Sequence, residues 1–172
     1  AGAKTVTATY ATDGNFAGSA SAGTAHTVTA AATTTTITTD LTAATAVGQA
    51  YTVSFTVTSA GGTPTGNVTV SDGTDSCVGT VAAGSCAVTS TTAGAKTITA
   101  TYATDGNFAG SASAGTAHTV TAAATTTTIT TDLTAATTVG QAYTVSFTVT
   151  SAGGTPTGNV TVSDGAATCS AS

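Results

Sequence analysis

Ala1–Tyr10 (AGAKTVTATY) returns as Ala93–Tyr102 (AGAKTITATY), and Thr33–Asp40 (TTTTITTD) returns as Thr125–Asp132. Residues 1–80 as a whole recur at 93–172 with eight differences, six of them between Thr74–Thr80 and Ala166–Ser172. An offset of 92 residues is too long for a solenoid coil and matches one small domain. Whatever fold one copy adopts, the chain must adopt again in series.

Composition narrows that fold. The chain has 49 Thr, no Trp, no Met, four Phe and four Tyr. Threonine is β-branched, so its stiff χ1 suits a pleated strand and disfavours a helix. Charge is nearly absent: Lys4, Lys96 and seven Asp, for a net −5. Two lysines give no basic footprint for phosphates, which excludes a nucleic-acid partner. No apolar run of about 18 residues and no basic amphipathic stretch supports membrane insertion. So few Lys and Arg leave little for proteases that cut at them, as suits a secreted surface protein.

Alternation places the strands. In Ala50–Thr58, Tyr51, Val53, Phe55 and Val57 share one face and Thr52, Ser54, Thr56 and Thr58 the other. Strands are also predicted at Thr33–Thr39, Asn67–Ser71, Thr97–Tyr102 and Thr116–Ala122, the last with His118 and Val120 on one face. Cys77–Val81 and Cys86–Thr91 read as a hairpin about Ala82-Ala83-Gly84. Turns at Ser59–Gly66 (SAGGTPTG), Asp72-Gly73 and Thr104–Gly110 separate the runs. Seven short strands without a helical period predict an all-β, Greek-key β-sandwich of immunoglobulin-like type. Residues 1–32 are then the last two strands of one unit, 33–123 a complete unit, and 124–172 the first four strands of the next.

The string Pro64–Gly73 (PTGNVTVSDG), followed by Ala93–Tyr102 and by Asp105-Gly-Asn-Phe108, resembles bacterial Ig-like repeats. The resemblance covers the entire chain. It implies tandem sandwich domains in an extracellular, cell-surface location with a stalk or adhesive role, and it brings no catalytic residues. Two arrangements stay open for the partial units: a stretch of a longer array, or a subunit whose end domains neighbouring copies complete. Either way the expected partners are copies of the same repeat.

Candidate chemistry is sparse. Cys77 and Cys86 face each other across the expected hairpin and read as a disulfide in an exported protein. Cys169 is the counterpart of Cys77, a thiol to be paired outside its own copy or beyond this stretch. Asp40, Asp72 and Asp105 are the calcium candidates. The expectation is that Asp40 and Asp72 lie at one end of a unit and approach Asp105 of the next, against plain turn chemistry as the other reading. No other cofactor is expected. His26 and His118 read as strand histidines at the core margin, and no nucleophile motif accompanies them. Asn67-Val-Thr69 and Asn159-Val-Thr161 match the N-glycosylation triplet within strands, and the outward Thr could carry O-linked glycans. A Thr-x-Thr stripe resembles ice-binding surfaces, which the 92-residue period argues against. Lys96 and Gln49 have the residue types for a covalent cross-link, with nothing local to support one.

The chain is therefore expected to be no enzyme, but a structural repeat of an extracellular stalk, sheath or filament built by head-to-tail stacking. The alternative is an adhesin repeat whose loops, such as Ser59–Gly66, bind carbohydrate or a cell-surface protein.

Overall fold

The computed structural model describes all 172 residues and contains strands and turns but no helix. The first partial unit supplies β1 (Gly2–Val6), β2 (Thr9–Tyr10), β3 (Ser19–Ala20) and β4 (Thr24–Val28). The complete unit runs through β5 (Thr34–Ile37), β6 (Thr45–Ala46), β7 (Ala50–Thr58), β8 (Asn67–Ser71) and β9 (Ser76–Thr80). It continues with β10 (Ser85–Thr89), β11 (Gly94–Tyr102), β12 (Ser111–Ala112) and β13 (Thr116–Thr121). The last partial unit holds β14 (Thr125–Ile129), β15 (Phe147–Ser151), β16 (Val160–Ser163) and β17 (Thr168–Ala171).

In the complete unit one sheet has the order β10-β7-β5 and the other β6-β13-β11-β8-β9, with β12 beside β11. Every pairing is antiparallel except β6 with β13, which is parallel. This is an all-β Greek-key sandwich of the kind the turn spacing predicted. Its inner faces carry Tyr51, Val53, Phe55 and Val57 from β7, Val68 and Val70 from β8, and Ile98, Ala100 and Tyr102 from β11. Val88 of β10 and Leu41 complete the cluster. All 18 buried residues of the chain lie between Thr35 and Val120, so only this unit closes a core. β1 with β4, β14 with β15, and β16 with β17 form two-stranded pieces whose apolar residues stay open. Val6 is 56% and Ile129 55% exposed, where Ile98 is wholly buried.

Both outer faces are uncharged. Thr34, Thr36, Thr52, Thr56 and Thr58 are exposed on one sheet, and Thr69, Thr97, Thr101 and Thr119 on the other. Thr36 stands directly across from Thr56 and Thr101 from Thr69, and such cross-strand Thr–Thr pairs stabilise a sheet.

Three expectations change. β9 and β10 are not a hairpin: β9 pairs with β8 and β10 with β7, so the two strands lie in opposite sheets. Alternation shows which face a residue takes but not which strand lies beside it. The segment after Ile37 holds an additional strand, β6, too short to show a period. Asp40 does not sit at the end of the unit, because Leu41 docks on His118, two residues short of where β6 meets Val120.

Candidate interdomain joint

The end of the unit nearest the following copy is tied together by its own turns. Asp72, 4% exposed, accepts from the amides of Thr74 (2.8 Å) and Asp75 (2.6 Å) on Oδ1. The buried Ser90 hydroxyl donates to its Oδ2 at 2.5 Å, and Tyr51 Oη lies 3.3 Å from Ser90 Oγ. Burial alone would raise the Asp72 pKa. The Ser90 hydroxyl, the two amides and the charge of Lys96 outweigh it and hold the carboxyl below the usual range. Asp75 fixes the adjacent turn by accepting from Thr91 N (2.7 Å) and Thr91 Oγ1 (2.9 Å). The third turn joins through Gly48, whose N–H donates to Ser90 O at 3.0 Å. Gly48 has φ +79, a left-handed conformation that side chains disfavour.

Against this end lies the loop between β15 and β16 of the next copy. A Cβ on Gly48 would come within 2.6 Å of Gly153 Cα, and one on Gly153 within 2.5 Å of Val47 O and against the Ala123 Cβ. The two backbones therefore meet directly, with room for hydrogen only. The preceding joint repeats the contact: a Cβ on Gly61 would fall 2.5 Å from the Cβ of Ala31. There the linker is also hydrogen-bonded, with Ser59 Oγ donating to Ala32 O at 2.7 Å. Ala31 N–H donates to Asn107 O and Ala109 N–H to Ala31 O, both at 2.8 Å. In the sequence Gly61 reads only as part of the Ser59–Gly66 turn, and Gly153 is its counterpart 92 residues on. Their contact role was hidden because the partner belongs to the neighbouring copy, although their recurrence 92 residues apart beside the linker alanines was a usable signal.

The calcium candidates are not brought together. Asp72 is enclosed at one end, Asp40 caps Thr42 N (3.0 Å) partway along the unit, and Asp105 sits at the opposite end. Asp105 accepts from Asn107 N (3.0 Å), Phe108 N (2.8 Å) and Thr65 Oγ1 (3.2 Å). The Phe108 amide is the main cause of its lowered pKa. Each carboxylate is engaged by amides of its own turn, Asp72 and Asp105 also by a hydroxyl from a neighbouring one, and no three His, Cys, Asp or Glu side chains converge to hold a metal ion.

Cys77 on β9 and Cys86 on β10 form a disulfide with a Cα–Cα distance of 6.0 Å. It bridges the two sheets along one edge rather than two strands of a hairpin. Cys169 is exposed and unpaired. His118 is buried, its ring 4.3 Å from that of Tyr51, between Leu41 O and Thr45 Oγ1. His26, on open β4, is exposed. Lys96 donates to Thr92 Oγ1 (2.6 Å), and Gln49 Oε1 accepts from Ala46 N (3.1 Å), so both serve local turns. Asn67 opens β8 and is exposed, as is Asn159 just before β16. A concavity of about 720 Å³ lies on the uncovered inner side of the last partial sandwich, beside Leu133 and Tyr143. No helix is long and apolar enough to cross a membrane.

Comparison with known proteins gives one finding. The family model for the bacterial Ig-like domain (group 3) matches residues 37–122, the complete sandwich from the end of β5 to the end of β13. No curated protein matches the chain.

Proposed function

The chain belongs to the bacterial Ig-like domain (group 3) family, and from that premise we propose a structural module whose units stack head to tail into an extracellular stalk, sheath or filament. Domains of this family are typically non-enzymatic and usually occur in surface or extracellular proteins. The observation that carries the stacking is the joint, where Gly48 and Ala123 of one unit leave room only for the backbone of Gly153 in the next. Contact at that distance leaves little angular freedom, so successive units share one relative orientation and the array behaves as a rod. The same feature weighs against the adhesive alternative. Ser59 and Gly61, in the loop expected to bind a ligand, are engaged by the linker before them. Calcium at the joints and glycans on the Thr faces remain additions to this reading, not requirements of it.

Electron microscopy of the native material tests the proposal. A nine-residue strand such as β7 spans roughly 30 Å, so stacked units should repeat axially at about 4 nm with a constant angle. Units strung at variable angles would sink the reading, and Gly61→Leu should convert the rod into such a chain.

A further inference from the structure

β9 ends its sheet, with β8 on one side and no strand on the other. Asp72 N–H donates to Asp75 O (3.0 Å) at one end of this pair and Val81 N–H to Gly66 O (2.9 Å) at the other. Bonded and non-bonded positions alternate between those ends, so Cys77 and Gly79 bond to β8. The amides and carbonyls of Ser76, Val78 and Thr80 point outward, and only Thr80 O is engaged, by Gly84 N–H at 3.0 Å. Such an edge is a template for another strand, and natural edges are guarded by charge, proline or a bulge. β9 has none of these. By contrast β5, at the edge of the other sheet, is tied to β12, where Thr35 Oγ1 lies 2.7 Å from Ser111 Oγ. Val78 adds a 61% exposed apolar side chain to the outer face. β10, which ends the other sheet along the same border, presents Ala87 and Thr89 instead.

Divergence between the copies falls on the same strand. Six of the eight differences lie in Thr74–Thr80, which is β9 with the turn before it, and the next copy has Ser170 where this one has Val78. We infer that this edge is a lateral docking site whose occupant is β9 of a second copy of the chain, joined antiparallel about a two-fold axis at Val78. The strand is self-complementary in that register. Val78 N–H donates to the Val78 carbonyl of the second copy and its own carbonyl accepts in return, while Ser76 and Thr80 face each other on either side. The two Val78 side chains meet on the outer face. Asp75, the nearest charge, lies about 20 Å from its equivalent, beyond the screening length at physiological salt. A five-residue pair is roughly 17 Å long, and buries far less than the roughly 1,200 Å² of a stable interface. One edge therefore pairs weakly, and rods pair by repeating it, which rests on the reading of units stacked at a constant angle. Val78 opposite a Ser170 edge loses its apolar contact, so like units align and neighbouring rods are held in register.

The test is residue-resolved amide hydrogen exchange of the full chain, dilute and at millimolar concentration. The Ser76, Val78 and Thr80 amides should exchange freely when dilute and about tenfold more slowly when concentrated, while Cys77 and Gly79 are slow in both. Val78→Pro removes only an outward N–H, a change that edge strands tolerate. It should return Ser76 and Thr80 to free exchange at every concentration. Val78→Lys, which sets two like charges face to face, should do the same and serves where the proline variant does not fold. Outward amides that exchange equally fast at both concentrations would overturn the inference. So would Ser76 and Thr80 amides that still slow in both variants, since the edge would then hold a strand in another register. The edge amides read lateral pairing alone: stacking can fail in microscopy while they slow, and straight rods can form while they stay free.

Discussion

Replacing Ser90 by alanine removes a single hydroxyl from the end of the unit, and its cost can be worked from the geometry. Ser90 is fully buried, Asp72 is 4% exposed, and the hydroxyl donates across 2.5 Å. Asp72 Oδ2 would lose this donor while staying buried, and hydrogen bonds to charged groups contribute about 1.5–3 kcal/mol. The expected loss at pH 7 is about 2–3 kcal/mol, a fall in Tm of about 10–20 °C for a domain of this size. The sign with pH follows from the depressed Asp72 pKa. Its contribution is complete above the unfolded value and disappears as pH falls through the folded one. Ser90→Ala raises the folded value towards the unfolded one, so the gap between variant and wild type narrows in acid. Urea unfolding followed by circular dichroism at pH 7 and below about pH 3 measures both. A loss under about 0.5 kcal/mol at pH 7, or one as large in acid, would refute the reasoning.

Two further substitutions probe the sandwich edge. Gly79→Ala directs a methyl group at Ser85 O and the Phe55 ring, and should cost about 1–3 kcal/mol by overpacking, read as a lower Tm. The following copy carries Ala171 at this position, so its edge must pack differently. Cys86→Ser should cost about 2–3 kcal/mol through the freed loop; denaturant unfolding of the variant and of the reduced wild type should agree.

Alternation made the core legible. Tyr51, Val53, Phe55, Val57, Ile98 and Tyr102 point inward as read, because each strand is wet on one side only. Partnership was less visible. Cys77 and Cys86 were read as a closed pair across a hairpin, yet the intervening turn carries the chain from one sheet to the other. A two-residue strand such as Thr45–Ala46 has no period to detect, and Leu41 stands alone in a polar stretch. The Asp72–Ser90 pair joins turns 18 residues apart, and each residue taken singly is ordinary turn chemistry. The joint was least legible, because its contacts are between backbones, where side-chain identity shows only as glycine and alanine.

The short linker has a consequence for folding. Residues 1–10 and 93–102 differ only at Val6 and Ile98, so the strands from β5 to β10 are flanked by two nearly interchangeable hairpins. During synthesis the wrong one emerges first. Closing on it would give a circularly permuted sandwich, at the loss of one buried methylene worth about 1 kcal/mol. Such a margin would scarcely protect the array from misassembly. Distance does. The equivalence of Val28 with Val120 puts the end of the early hairpin at the far end of the sandwich from Thr34, roughly 30 Å away by the length of β7. The chain from Val28 to Thr34 reaches at most roughly 20 Å. Near-identical neighbours can therefore fold side by side without exchanging strands, because the tether is too short for the exchange.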